Sequence, residues 1–324
     1  MRILVTGGFG FIGSAFVDQA VNDGNEVVII DKMTYAADPK NLSESIFSKI
    51  SHYQIDIARS TELFQVLNNM DSFDWIVNFA AESHVDRSIV DGTDFVLSNV
   101  LGLTNILEYA KSHGKTKVLQ VSTDEVYGTL NKGSWTEDSH MSPRSPYSAS
   151  KASAELFCQA YSTTHNIKAF ITRCANNFGP RQSCEKLIPK VIRSIQASQK
   201  IPIYGDGSNR REWIYVYDHV KALLMILSME GKTKSTTFNI SGLEMSNLEI
   251  VKKIISYMGA SEELIEYVAD RPGHDFRYSM SDTRIKTEVG EYRNTDFDDQ
   301  LFGTVEWYLS NKEWITRSEG RLLK

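Results

Sequence analysis

The sequence predicts an α/β fold: a Rossmann-type, doubly wound parallel sheet with a smaller mixed α/β lobe drawn from the C-terminal part of the chain. Three observations predict it. The chain opens on an apolar strand, "RILVT", that runs into glycines at Gly7, Gly10 and Gly13. Short apolar runs then alternate with segments of helical periodicity. Beyond about residue 180 that alternation loosens, and "NNFGPR" (Asn176 to Arg181), broken by Gly179 and Pro180, marks the crossing. Residues 1–180 are thus expected to form the dinucleotide-binding and catalytic domain. Residues 181–324 are expected to form mainly the substrate lobe, with some segments free to return to the first domain.

The elements follow in order. A helix runs from the glycines through Val21, and "EVVIID" is the second strand. "SHYQIDI" is the third, residues 61–70 a helix, and "DWIVNFAAES" a strand entering a turn of small residues. Residues 94–113 are helical, with Val96, Val100, Leu103, Ile106, Leu107 and Ala110 on one stripe. "KVLQVST" is the next strand, Ala149 to His165 a long helix, and "KAFITRCANNFG" another strand. Residues 186–199, "NLEIVKKIISYMG" and 297–309 read as helices of the lobe. "KIPIYGDGS", "TTFNIS" and "EYV" read as its strands, and "REWIYVYDHVKALLMIL" as a strand entering a helix. Met225 and Trp307 read as core, and the charged runs "EDSH" and "RSEGRLLK" as solvated.

Composition narrows the function. The chain has 324 residues, 41% hydrophobic and 23% charged, with a net charge of −6. That balance argues against nucleic acid as the main partner. No apolar run is long enough to span a membrane, and the N-terminus reads as a strand rather than a signal peptide. Three cysteines without metal-ligand spacing, Cys158, Cys174 and Cys184, fit a reducing cytoplasm and no metal site.

The glycine spacing TGxxGxxG suits a dinucleotide. Gly7 permits the tight turn, Gly10 lets backbone approach a pyrophosphate, and Gly13 lets the helix pack on the strand. The helix N-terminus offers N–H groups to phosphates. Asp31, at the end of the second strand, would accept hydrogen bonds from both ribose hydroxyls of NAD and repel the 2′-phosphate of NADP, although Lys32 stands beside it. Asp56 ends the third strand within reach of an adenine edge. Gly7, Asp31, Ala81, Thr123 and Asn176 all follow strands, so they should share one rim of the sheet.

Chemistry appears in two places. "YSASK" sets Tyr147 and Lys151 one helical turn apart on one face, where the ammonium favours the phenolate. "STDEVYG" sets two adjacent carboxylates, Asp124 and Glu125, at the exit of a core strand, where each must be solvated, paired or used.

TGxxGxxG, the Ser122-Thr123 strand end and YxxxK resemble the extended short-chain dehydrogenase/reductase superfamily. "AAESHVDRSI", "STDEVYG", "PYSASKASAE", "EKLIPK", "YGDGSNRREWIYVYDH", "RPGHDFRY" and "DKMTYAADPKNL" together resemble the dTDP-glucose 4,6-dehydratase family within it. The resemblance implies an NAD-dependent lyase acting on a nucleotide-diphosphate hexose, by oxidation at C4, loss of water across C5 and C6, and return of hydride to C6. It assigns the C4 hydroxyl proton to Tyr147 and the nicotinamide ribose to Lys151. It assigns the C4 oxygen to Thr123, the C6 acid to Asp124 and the C5 base to Glu125. It adds Phe11, Ile12, Thr34, Ile57, Ala80 and Asn99 to the cofactor contacts. For the substrate it implies Ser83, His84, Asn176, Glu185, Lys186, Leu187, Pro202, Ile203, Tyr204 and His274, with Arg211 and Arg271 on the pyrophosphate. It also implies a homodimer pairing through residues 94–113 and 149–165. Two segments depart from the family pattern, Arg181–Cys184 and Leu243–Asn247. Both lie near the expected nucleotide, which keeps UDP-glucose or another nucleotide hexose as the competing substrate. A nucleotide-sugar epimerase does not need the two acids, and an NAD-sensing binding protein does not need Tyr147 and Lys151.

Overall fold

Side-chain alternation along the strands explains the layers. Strands β1 (Arg2–Thr6), β2 (Glu26–Asp31), β3 (Ser51–Gln54), β4 (Trp75–Asn78), β5 (Lys117–Thr123) and β6 (Ala169–Cys174) are apolar on both faces except at β3. Ile3, Val5, Val27, Ile29, Trp75 and Val77 point into one core; Leu4, Val28, Ile30 and Ile76 point into another. A period of two with apolar residues at both phases requires cover on both faces. The computed structural model supplies it, and it describes residues 1–229, 235–270, 275–293 and 295–322.

Helices α1 (Phe11–Asn22), α2 (Glu44–Phe47), α3 (Ser60–Leu67), α4 (Val85–Val90), α5 (Thr93–Phe95), α6 (Gly102–Ser112) and α7 (Pro146–His165) intervene between these strands. Then follow β7 (Asn176–Phe178), α8 (Leu187–Gln196), β8 (Ile201–Tyr204), β9 (Arg210–Tyr215), α9 (Val216–Ser228), β10 (Thr237–Ile240), β11 (Leu243–Ser246), α10 (Asn247–Tyr257), β12 (Ile265–Val268), α11 (Thr283–Glu288), α12 (Phe297–Ser310) and α13 (Lys312–Leu322). Seven strands form a parallel sheet in the order β10-β6-β5-β4-β1-β2-β3. The order reverses between β1 and β4, and the crevice beyond their carboxyl ends is the expected ligand site of such a sheet. A three-stranded sheet, β11-β9-β7, and a two-stranded one, β12-β8, serve the lobe, whose core gathers α8, α10, α12 and α13.

The structure departs from the sequence reading at several elements. "KAFITRCANNFG" is not one strand: it breaks at Ala175, and β7 leaves the large sheet to pair with β9. Helix α9 packs its Val220, Leu223 and Ile226 on the large sheet, and β10 pairs with β6. An amphipathic helix and a short strand show that a face is apolar, but not which core receives it. Residues 94–113 are not one regular helix. Val96–Leu101 form a π-helical turn between α5 and α6, so the expected stripe splits: Leu103, Ile106, Leu107 and Ala110 are buried while Val96 is 55% exposed. The runs read as solvated are partly tied down. Glu137 accepts a bond from the Asn239 backbone N–H, Arg317 and Arg321 pair with Asp38, and Ser318 is buried. Among the described residues no helix is long and apolar enough to cross a membrane.

Candidate active site

The crevice at the switch point opens into two connected compartments of about 350 and 100 Å³, both bordered by Gly7, Gly10, Phe79 and Ala81. Its floor is a backbone cradle. Gly7 has φ +70°, and a Cβ there would lie 2.7 Å from the Ala80 nitrogen. A Cβ on Gly13 would lie 2.2 Å from the Gly7 carbonyl oxygen. Gly10 precedes α1 with no side-chain cap, and Phe11, Ile12 and Gly13 of its first turn line the larger compartment. Uncapped helix N–H groups beside a crevice are anion donors.

The smaller compartment is walled by Asp31, Lys32, Thr34, Asp56, Ile57, Ala80, Ala81, Glu82 and Ser98. Asp31 is buried and accepts from the backbone N–H groups of Phe9 and Met33, at 3.0 and 2.8 Å. Burial raises its pKa, and those two bonds pull the other way. Each oxygen keeps a second lone pair for a ligand. Asp56 stands past the end of β3 and pairs with Lys32 at 3.0 Å. Asn99 is not on the wall. It is buried in the π-turn, where it accepts from the Glu82 N–H and donates to the Glu82 carbonyl and the Ser150 hydroxyl. It therefore holds the loop after β4 from behind.

The larger compartment holds the ionisable groups. β5 ends at Thr123, whose hydroxyl accepts from the Glu125 N–H at 3.2 Å and caps a short 3₁₀ turn over Asp124–Tyr127. That cap delivers two consecutive acids at the sheet's edge, with Glu125 half-buried and Asp124 only 2% exposed. Asp124 Oδ1 accepts from the Thr123 hydroxyl at 3.2 Å, and Oδ2 has no hydrogen-bond partner among the described residues. Burial, then the charges of Glu125 and Glu212, push its pKa well above the carboxylate range. Both effects favour the neutral acid over the carboxylate. Glu212 is itself pushed up to about 7 by burial.

Helix α7 starts at a Ser145–Ser148 capping box with Pro146 in its first turn, which places Tyr147 at the cleft and Lys151 one turn on. Lys151 is 4% exposed and donates to the Val121 carbonyl at 2.6 Å. Burial lowers its pKa to about 8, against the upward pull of Cys174 and Glu155. Burial and the Glu125 charge raise the Tyr147 phenol well above its ordinary value, while the Thr123 hydroxyl draws it down.

Ser83 faces the larger compartment from the loop after β4, and Asn176, Glu185, Lys186 and Leu187 face it from the lobe side. His84 is set behind it, 3.4 Å from Glu185, and caps α4. Pro202, Ile203 and Tyr204 lie on β8 and do not line either compartment. Arg211 is buried, with its guanidinium on the carbonyls of Arg210, Asp275 and Phe276 and over the Tyr278 ring, yet its charge reaches Asp124. Arg271 and His274 lie outside the described residues.

Sequence reasoning missed part of the wall. Tyr35 lies under Arg87 at 4.0 Å and donates to Glu185 at 3.4 Å. Arg181 donates to Asp18 and Tyr217, at 2.7 and 2.6 Å. From α13, Trp314, Ser318 and Arg321 line the same compartment, and Trp314 donates to Asn41 at 2.8 Å. Tyr35 and Arg181 sit in segments the sequence had marked. Nothing local signals the α13 residues, which arrive from the far end of the chain.

With this geometry in place, similarity to known proteins is informative. The family described as GDP-mannose 4,6 dehydratase matches residues 4–302. A dTDP-glucose 4,6-dehydratase of Streptomyces niveus is 41% identical, over 97% of this chain and 94% of that protein. The low-salt glycan biosynthesis protein Agl12 of Haloferax volcanii is 46% identical, over 97% of this chain and all of that protein. The crystal structure of DesIV, a dTDP-glucose 4,6-dehydratase from Streptomyces venezuelae with NAD bound, superposes with a TM-score of 0.92. It is 41% identical, with 97% of this chain and 98% of that one covered.

Proposed function

Because the chain belongs to this 4,6-dehydratase family, we propose that it is an NAD-dependent lyase that converts dTDP-glucose to dTDP-4-keto-6-deoxyglucose and water. The observation that carries the reading is Asp124, a buried carboxyl with an unpartnered oxygen, whose burial favours the neutral form, set beside the cavity-lining Glu125. Two acids kept in different protonation states are what elimination of water requires, one to take a proton and one to give one.

The residues present fit NAD. The tight turn and the close packing of α1 on it exist only because Gly7 and Gly13 lack Cβ atoms, and they bring the backbone at Gly10 and the uncapped N–H groups of α1 to the crevice where a pyrophosphate would lie. Asp31 would hold the adenosine ribose, and the Lys32 ammonium is engaged by Asp56, which disfavours a 2′-phosphate. Lys151 would hold the nicotinamide ribose. When bound, NAD supplies a positive ring beside Tyr147 and exchanges hydride with the sugar carbons.

The chain's own residues then move protons. Tyr147 takes the C4 hydroxyl proton, helped by the Lys151 ammonium one turn away. Thr123 turns its one hydroxyl hydrogen from Asp124 Oδ1 to the C4 oxygen, and the resulting ketone makes the C5 proton acidic. Glu125 removes that proton, and Asp124 gives its own to the departing C6 hydroxyl. Glu125 later returns a proton to C5. Asn176, Glu185, Lys186 and Leu187 meet the nucleotide sugar from the lobe side. Arg211 reaches a pyrophosphate only by leaving the carbonyls of Asp275 and Phe276.

The protein acts as a homodimer in this reading. Val96, Leu97 and Leu101 on the π-turn and Leu156 and Phe157 on α7 are large, apolar and exposed, as are Ile89 and Val90 on α4. Such a patch marks an interface. The three free, buried cysteines suit a reducing, cytoplasmic setting.

The test is product analysis by proton NMR with dTDP-glucose and, separately, UDP-glucose. A new C6 methyl signal, formed faster from dTDP-glucose, is expected. Galactose signals without a methyl would replace this reading with an epimerase, and a faster reaction of UDP-glucose would reassign the nucleotide.

A further inference from the structure

Behind the acids lies a buried ion pair that the proposed chemistry does not use. Glu155 on α7 is 0% exposed and Arg173 on β6 is 2% exposed. Arg173 donates to Glu155 Oε2 through Nε and Nη2, at 2.9 and 2.6 Å. Stripping two ions of water is costly, and apolar residues of similar volume often fill such a site at no loss of stability. The pair's remaining valences show what it holds. Glu155 Oε1 accepts from the Ser122 hydroxyl at 2.5 Å. Arg173 Nη1 donates to the Tyr127 hydroxyl at 2.6 Å, and its guanidinium stacks 4.6 Å from that ring. The Tyr127 hydroxyl passes a bond on to Asn239 at 2.7 Å. Ser122 directly precedes Thr123, and Tyr127 closes the 3₁₀ turn that carries Asp124 and Glu125. Glu155 also sits one helical turn beyond Lys151.

We propose that the Glu155–Arg173 pair is a positioning device for elimination, gripping both ends of the Ser122–Tyr127 segment and registering it against the helix that carries Tyr147 and Lys151. This rests on the assignment of elimination to Asp124 and Glu125. A single ion pair bridging α7, β5 and β6 ties the oxidising pair and the eliminating pair to one rigid reference. Misplacement of a reacting group by about 1 Å costs on the order of 100-fold in rate, so small freedoms matter.

Tyr127→Phe removes one oxygen and leaves the ion pair and the ring in place. It is expected to lower kcat on the order of tenfold with KM within about twofold of the wild type. Rapid-quench mass spectrometry is expected to catch a C4-oxidised hexose that still carries its C6 oxygen, because oxidation proceeds at Tyr147 while the loosened acids lag. Ser122→Ala releases the other end and should give the same signature, and it carries the test alone if Tyr127→Phe does not fold. Unchanged kcat in the folded variants overturns the device. A loss of kcat without the oxidised hexose overturns it too, since a merely structural defect slows every step alike. A wild-type protein that forms no methyl ketone overturns the dehydratase reading, and this inference with it.

Discussion

At one end of the cleft the groups that matter are backbone: uncapped N–H groups of α1 and the close backbone packing that the absence of a Cβ on Gly7 and Gly13 permits. At the other end they are side chains whose protonation is set by burial and by one another, Asp124 above all. The two regions share one rim of one sheet, yet they fail in different ways. The cradle is expected to fail on added volume, and the acidic rim on lost charge. Binding and chemistry are therefore separable by mutation.

The most general loss is expected at the cradle, where the cofactor and every step that depends on it fail together. Gly13→Ala would press a methyl 2.2 Å from the Gly7 carbonyl, and backbone cannot yield as a flexible side chain does. NAD released per subunit on denaturation should fall by about tenfold or more, with activity falling alongside. Retention of stoichiometric NAD would break the comparison. Next comes Glu125→Gln, which conserves shape and removes the proposed base. Here kcat should fall on the order of 10²- to 10⁴-fold while bound NAD stays at the wild-type level.

Asp124→Asn sharpens the contrast, because it should damage activity and improve stability together. Its kcat should fall on the order of 100-fold. In the unfolded chain Asp124 ionises near 3.8, whereas folding raises its pKa well above that. Its favourable contribution is thus complete below the unfolded value and is lost as pH rises toward the folded one. The Asn variant should melt about 2 °C or more higher at pH 7, with the gap closing as pH approaches 4. A lower melting temperature at neutral pH would count against a neutral Asp124. In the same variant the loss of activity above pH about 8 should persist, because that limb follows the Lys151 ammonium. The smallest effect is expected at Asp56→Asn, which frees Lys32 from its 3.0 Å partner. The preference for NAD over NADP should drop roughly threefold, the scale of an exposed ion pair. An unchanged ratio of dissociation constants would remove Lys32 from cofactor choice.

The comparison also explains what the sequence disclosed. The glycine turn and the two proposed reactive pairs were legible as candidates because each is local: glycines at fixed spacing, a tyrosine and lysine one helical turn apart, two acids after a strand. The rest of the wall was not, because it is assembled over long separations. Trp314 reaches Asn41 across 273 positions, and Arg321 reaches Asp38 across 283. Helical spacing put Leu103, Ile106 and Leu107 on one stripe, and all three are buried within the chain, but it could not foresee a π-turn that exposes Val96 and buries Asn99. Arg211 was legible as a cation in a marked motif, not as one whose donors are engaged by carbonyls. The Glu155–Arg173 pair carried no signal, since a Glu on a helix and an Arg on a strand read as surface residues until the fold joins them.

The most direct test of the division between cradle and rim is the fate of the C5 proton. Wild-type protein and Glu125→Gln would each be incubated with dTDP-glucose in heavy water and followed by proton NMR. A methyl-bearing product with deuterium at C5 is expected from the wild type. No exchange at C5 is expected from the NAD-loaded variant. Loss of the C5 proton signal in Glu125→Gln at the wild-type rate would contradict this division, because another group would then be the base.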